Sequence, residues 1–202
     1  MARYTGPTAK RWRRIGQVPP DGSGVAVTRR NFPPGQHGMR RGAKLSEYGQ
    51  QLREKQKAKA TYGILERQFV NVYKKSDRKT GVTGENMMRM LEMRLDNVVY
   101  RLGFAETRKQ ARQVVTHGHV RVNDKKVSIP SALVKTGDKI SFKEAYAARF
   151  KDRDEDSPLP EINIGWLTRQ DKELTGTVVT EPERMDMEAS INEQLIVEYY
   201  SR

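Results

Sequence analysis

The spacing of apolar residues changes period once along this chain, and the change separates two kinds of structure. Residues 45–60 carry a helical pattern behind Ser46, which suits an N-cap. Ile64, Leu65, Phe69, Val72 and Tyr73 predict a second amphipathic helix, running out into Lys74, Lys75, Arg78, Lys79 and Gly81. Thr83 is placed to cap a third helix reaching Leu102, in which Leu91, Leu95, Val98, Val99 and Leu102 form one apolar face. Gly103 falls where a helix end favours a left-handed residue. Thr107 then opens a further helix, with Gln110 three residues on as a capping-box partner and Ala111, Val114 and Val115 as its apolar side. Gly118 stops it. Beyond Gly118 the period becomes two. Val120 and Val122 alternate with His119 and Arg121, Asn123-Asp124 is a turn signal, and Val127, Ile129, Ile140 and Phe142 continue the alternation.

After a charged, proline-containing break at Lys151–Pro160, residues Trp166, Leu167, Val178 and Val179 predict short strands. Ile191, Leu195, Ile196 and Val197, followed by Tyr199 and Tyr200, predict a closing element that docks on the rest of the chain. The expected fold class is α+β. A mainly helical domain, residues 45–90 and 144–202, holds an inserted domain at 91–143 made of two helices on a small twisted antiparallel sheet. An extended basic segment, residues 1–44, precedes both.

Charge narrows the partner. The 202 residues carry a formal net charge of +13, an excess that favours a polyanion. Its distribution says more. Residues 1–60 hold 14 basic and 3 acidic side chains, residues 61–150 hold 18 and 9, and residues 151–202 hold 6 and 13. The first three quarters are expected to face nucleic acid. The last quarter, at −7, is expected to face protein neighbours, with Glu181, Glu183, Asp186 and Glu188 turned away from phosphate. There is no cysteine, hence neither a disulfide nor a thiolate zinc site, and no cofactor or metal is expected. With no signal-peptide core and no long apolar run, a cytoplasmic protein without membrane contact is expected.

The basic residues stand beside the apolar stripes rather than within them. Arg94 and Arg101, seven apart, share a helical face, and Arg108, Lys109 and Arg112 form the basic side of the next helix. With Arg121 they are expected to line one continuous surface suited to a polyphosphate backbone. Arg53, Lys55, Lys57 and Lys59 make the 45–60 helix basic, whether for contact or only for solvation. Arg11, Trp12, Arg13 and Arg14 interleave an aromatic with cations, which fits phosphate contact with stacking and equally a solvated tail with one anchoring Trp. His117 and His119 either donate to phosphate or fill a helix–strand corner. Arg94-Leu95-Asp96 resembles the catalytic tripeptide of pseudouridine synthases, but no large catalytic sheet accompanies it, and Asp96 is expected to pair with a neighbouring Arg. No nucleophile–base pair or paired carboxylates are visible, so no enzyme is expected.

The stretch MLEMRLDNVVYRLGFAETRKQARQVVTHGHVRVN at Met90–Asn123 resembles the RNA-binding domain named after small-subunit ribosomal protein S-four. RYTGP at Arg3–Pro7, PPGQHG at Pro33–Gly38, LREKQKAKATYGILERQF at Leu52–Phe69, TGEN at Thr83–Asn86 and INEQLIVEYYSR at Ile191–Arg202 extend the resemblance to the bacterial form of that ribosomal family over nearly the whole chain. Some family members carry an N-terminal cysteine zinc site. Here Ala9 and Trp12 stand where its first ligands would be sought. The resemblance implies a structural protein that binds small-subunit rRNA at a junction in the subunit body during assembly and contributes to translational accuracy. It also implies the small-subunit S-five protein as a neighbour, and mRNA close to Arg40, Arg41 and Lys44. Within the matching motifs, RNA contact is implied for Arg3, Tyr4, Gln36, His37, Arg53, Lys55, Lys57, Tyr62, Arg67 and Gln68, and for Asn97, Gln113, His117, His119 and Asn123 beside the arginines already named; outside them, Lys10, Arg11, Arg13 and Arg14 of the basic N-terminal segment are also expected at the RNA. The competing classes are a free-standing RNA-binding factor and an RNA-modifying enzyme that carries the same small domain. The first would not need PPGQHG or INEQLIVEYYSR, and the second would bring a large core and a polar constellation of its own.

Overall fold

A computed structural model describes residues 4–20, 24–39, 44–144, 146–147, 164–170 and 174–201. The chain divides into two compact units, residues 1–87 with 188–202 and residues 88–187.

The first unit is helical. Its N-terminal part is less extended than the sequence implies: α1 (Thr8–Ile15) and the short α2 (Val25–Thr28) are helices. Trp12 and Ile15, three apart on one side of α1, are buried with Val27 in a small cluster of their own. Trp12 is therefore the anchor, not a free stacking platform. Ser46 caps α3 (Glu47–Thr61), its hydroxyl accepting from the Gly49 amide at 3.2 Å. Next come α4 (Glu66–Asp77) and α5 (Thr83–Glu92), which begins in this unit. Thr83 is the first helical residue of α5, and the Asn86 amide donates to the Val82 carbonyl, so the helix starts one residue earlier than expected.

The closing helix α8 (Glu193–Tyr200) is capped by Asn192, whose side chain accepts from the Gln194 and Leu195 amides, and packs along α3. Gly84 permits a close approach: a Cβ there would lie 2.8 Å from the Glu193 Cγ. Gln51, almost fully buried, donates to Glu198 at 3.1 Å, and the Asn192 amide donates to Glu54 at 2.8 Å. Glu66 ties α3, α4 and α8 together. It accepts from Lys55 at 2.9 Å, Lys59 at 2.6 Å and the Tyr200 hydroxyl at 2.8 Å.

Partial burial works to raise the Glu66 pKa, but hydrogen bonds from Lys59, Lys55 and Tyr200, with the Lys59 charge, outweigh it and hold it at about 2. Burial and then the bond to Glu66 push the Tyr200 hydroxyl above the usual tyrosine range. A carboxylate with a depressed folded-state pKa stabilises the fold above its unfolded value and ceases to do so as pH falls through the folded one. The stabilising effect of Glu66 is therefore expected to fade between pH 4.5 and about 2. In thermal melts the gap between the parent protein and Glu66→Gln should be wide near neutrality and closed at the acid end. A gap that did not vary with pH would refute this account.

The second unit carries the sheet. α6 (Leu95–Arg101) and α7 (Arg108–Thr116) lie with β1 (Val120–Val122), β2 (Lys125–Lys126), β3 (Lys139–Phe142), β4 (Leu167–Gln170) and β5 (Thr175–Val178). The strands run β2-β1-β3-β5-β4, all neighbours antiparallel. The sheet thus draws in the strands beyond residue 143, so this unit is wider than the expected 91–143. Leu95, Val98, Val99, Leu102, Phe104, Ala111, Val115, Val120, Ile140, Trp166 and Val178 share one core. A Cβ at Gly176 would lie 2.4 Å from the Leu102 Cδ1, which fixes glycine where α6 meets β5. Asn123 and Asp124 both take positive φ, 49° and 64°, the two-residue turn that matches the twist of a hairpin.

One expected helix is in fact two. The run from Thr83 to Leu102 breaks at Arg94, which is extended (φ −69°, ψ 137°). The Leu95 and Asp96 amides donate to the Ala132 and Pro130 carbonyls, the Val134 amide donates to the Met93 carbonyl, and Arg94 bridges Leu133 as strands do. These pairings with the 130–134 segment replace helical bonds, a choice that residue periodicity cannot register.

Candidate nucleic-acid interface

The arginines of the second unit fall into two groups with different work. Arg94 is bidentate to Asp96 (Nε to Oδ1 3.0 Å, Nη2 to Oδ2 2.7 Å), and the Arg112 Nη1 reaches the same Oδ2 at 3.2 Å. Arg101 is bidentate to Glu92 at 3.0 and 2.7 Å, and Glu92 also accepts from the Asn97 side-chain Nδ2 at 2.6 Å. The Arg108 Nε donates to the Asn97 Oδ1 at 2.8 Å, and its guanidinium lies 4.4 Å over the Tyr100 ring. Arg94, Asp96, Asn97, Arg108, Arg112 and Glu92 are buried, Glu92 completely. The expected pairing of Asp96 is present, with two arginines rather than one.

The continuous surface of Arg94, Arg101, Arg108, Lys109, Arg112 and Arg121 is accordingly corrected. Arg94, Arg108 and Arg112 build the interior, Arg101 is half-buried against Glu92, and only Lys109 and Arg121 are exposed. The helix break at Arg94 removes the seven-residue register that would have aligned Arg94 with Arg101. Low dielectric and fixed carboxylates then hold the guanidiniums inward.

Exposed cations concentrate instead at the β1–β2 hairpin. Arg121 stands opposite Lys126 and Val122 opposite Lys125, and all three cations are exposed. On α7, Lys109 and Gln113 face solvent, as does His117 at its C-cap. His119 is half-buried, its ring stacked on Tyr146 at 5.1 Å, so it fills the helix–strand corner as much as it offers a donor. Asn123 is exposed but occupied: its side chain donates to Asp138 at 2.8 Å and accepts from the Lys139 amide at 2.9 Å, locking the hairpin to β3. Lys125 and Lys126 are not among the residues that the motifs single out. Their signal was present, two consecutive lysines just past a tight turn.

In the first unit, Tyr4, Lys10, Arg14, Gln36, His37, Lys44, Arg53 and Arg67 are exposed, and Arg11, Arg13 and Gln68 are half-buried. Arg13 donates to the Phe32 carbonyl at 2.9 Å and lies 4.8 Å over its ring, which commits it to packing. Lys55, Lys57 and Tyr62 are buried. The correction for the lysines has a clear cause: Lys55 is held by Glu66 and Lys57 by Glu54 at 2.7 Å, their stems packed beneath. Tyr62 sits at the C-cap of α3, its amide donating to the Ala58 carbonyl. Arg3, Arg40 and Arg41 lie outside the described residues. Among the described residues no three His, Asp or Glu side chains are grouped to hold a metal ion, and no helix is long and apolar enough to cross a membrane.

The acidic quarter is partly engaged within the second unit. Glu181 lies 3.5 Å from Arg89, and Glu183 and Asp186 form a capping box on the 3-10 turn Arg184–Asp186.

Two short helices fastened to each other by internal ion pairs and packed on an antiparallel sheet through an apolar core, with lysine and arginine left exposed on a hairpin, define a small RNA-binding class of domain. Comparison with known families agrees. The S4 domain model matches residues 93–140, starting at the helix break, and the model described as ribosomal protein S4/S9 N-terminal domain matches residues 3–92. The small ribosomal subunit protein uS4 of Chloroflexus aurantiacus is 51% identical over 206 residues, and that of a Geobacillus strain is 49% identical over 202. That of Roseiflexus castenholzii is 49% identical over 206, and each alignment covers all of both chains. The chain belongs to the uS4 family of small ribosomal subunit proteins. These relatives are named as ribosomal proteins and not as enzymes, in agreement with the absence of a catalytic constellation in the sequence.

Proposed function

We propose that this chain is a structural rRNA-binding protein of the cytoplasmic small ribosomal subunit, organising a multi-helix rRNA junction in the subunit body during assembly. The observation that supports it is the division of cations in the second unit: one set is spent internally to stiffen the scaffold, and another projects from the hairpin and α7. A-form RNA hides its base edges in a deep groove, so a rigid cationic shape is what such a junction selects. Neutralised phosphates release counterions, and strands that would repel are drawn together.

Contribution to translational accuracy, mRNA near Arg40, Arg41 and Lys44, and the S-five protein as neighbour belong to the same reading. The net charge of −7 over residues 151–202 supports a protein neighbour on that part of the chain, since phosphate within a Debye length of about 8 Å would be repelled. The test is direct. The full chain should bind a small-subunit rRNA body fragment at one copy per RNA and survive competition by large-subunit rRNA. Equal affinity for the two RNAs would defeat the proposal.

A further inference from the structure

The first unit contains a groove of about 1000 Å³ between α1, the Pro34–Gly35 bend and α3. Lys59 lines it already paired with Glu66 at 2.6 Å; the other cations in its walls are Lys10, Arg11, Arg14 and Arg53, and no acidic side chain lines it. None of these four cations has an ionic partner among the described residues. Arg11 is the most telling. Burial holds its guanidinium below the usual arginine range, and its neighbour is the Tyr4 ring at 5.0 Å. Between the cations the walls are apolar, with Leu45 and Leu65 among them.

We infer that this groove receives two or three unpaired nucleotides of RNA, bases against the apolar wall and the Tyr4–Arg11 pair, phosphates against Lys10, Arg14 and Arg53. The inference rests on the rRNA-binding reading and adds the form of the RNA. A duplex keeps its base faces stacked and presents phosphates, 2′-hydroxyls and minor-groove edges to a protein, so an apolar wall would gain little from it. Splayed bases bring π-faces that stack on aromatic rings and guanidiniums whatever their sequence, while the backbone follows the cations. A groove of this volume is at the upper end of small-ligand sites, roughly 300–1,000 Å³, and thus larger than one nucleotide needs.

The test uses the full chain at about 150 mM salt and three RNAs. They are a single-stranded hexanucleotide with a central 2-aminopurine, the same strand annealed to its complement, and the small-subunit rRNA body fragment. The single strand should bind at least about tenfold more tightly than the duplex, with 2-aminopurine emission quenched by stacking. Arg14→Ala with Arg53→Ala, both exposed positions, should weaken the single strand about tenfold or more. Gln56→Glu, which sets an anion in the groove from α3, should do the same without removing a cation. Preference for the duplex, or single-strand binding indifferent to both variants, would overturn the inference. If that happened while the rRNA fragment still bound, only the groove assignment would fall; loss of both would remove the rRNA reading itself. Tighter capture of an alternating Glu-Leu peptide, displacing the oligonucleotide, would reassign the groove to protein.

Discussion

Replacing Asp96 with alanine is expected to destabilise the sheet-bearing unit by about 3–5 kcal/mol. Asp96 has a 6% accessible side chain and receives four hydrogen bonds: two from Arg94, one from Arg112 and one from the Asn97 amide. Its removal leaves the Arg94 guanidinium, 4% accessible, buried without its counter-ion, and takes from Arg112, 10% accessible, its contact with that carboxylate. Desolvating one unpaired guanidinium outweighs the loss of the pair's own attraction, which is why breaking a buried ion pair costs more than replacing it whole. The same reasoning gives a control. Asp96→Leu with Arg94→Met and Arg112→Met, a comparable volume of apolar atoms, should recover most of the loss. Urea unfolding followed through the buried Trp166, in a Trp12→Phe background, reads this unit. A loss under about 1 kcal/mol for Asp96→Ala would show that the ionic core contributes little.

Neutralising Lys109, Arg121, Lys125 and Lys126 together should lower the salt slope of rRNA binding by about three to four units. At physiological salt the affinity should fall roughly a hundredfold or more, because each lost phosphate contact forgoes the release of condensed counterions. The fold should survive, since all four side chains are exposed. The paired change Arg108→Ala with Arg112→Ala should behave differently. It removes buried donors to Asn97 and Asp96, so thermal stability falls first and binding is lost through unfolding. Titrations between about 50 and 200 mM salt, with circular dichroism on each variant, separate the two effects. An unchanged slope in the quadruple variant would remove these residues from the interface.

Local chemistry made much of this molecule legible from residue order. Leu95, Val98, Val99 and Leu102 are wholly buried as their spacing implies, because a 3.6-residue period is a property of the helix itself; Leu91 is buried too, but on α5, beyond the break at Arg94. Gly103 and Gly118 take positive φ at 75° and 71°, and Thr107 accepts from the Gln110 amide at 3.2 Å. The reciprocal half of that box differs by one residue, since the Gln110 side chain accepts from Glu106 rather than Thr107. Each of these signals acts within four residues, the range over which sequence alone constrains backbone.

Distant pairing was not legible. Whether Arg94 continues a helix depends on amides and carbonyls of residues 130–134, about 40 residues away, and so did the face on which Arg94 would lie. The strands at Leu167–Gln170 and Thr175–Val178 were visible as strands, yet only β3 pairing with β5 assigns them to the sheet unit. A basic residue beside an apolar stripe reads the same whether it points to solvent or turns inward to a carboxylate. Glu92 and Asp96 decide that question for Arg94, Arg101 and Arg112, and Glu66 and Glu54 decide it for Lys55 and Lys57. The sequence by itself determined the α+β class, the helix and turn chemistry, the cationic character and the family. Tertiary structure alone decided which cations are structural and which remain exposed to meet a polyanion, because desolvation and ion pairing depend on neighbours that the chain brings together only by folding.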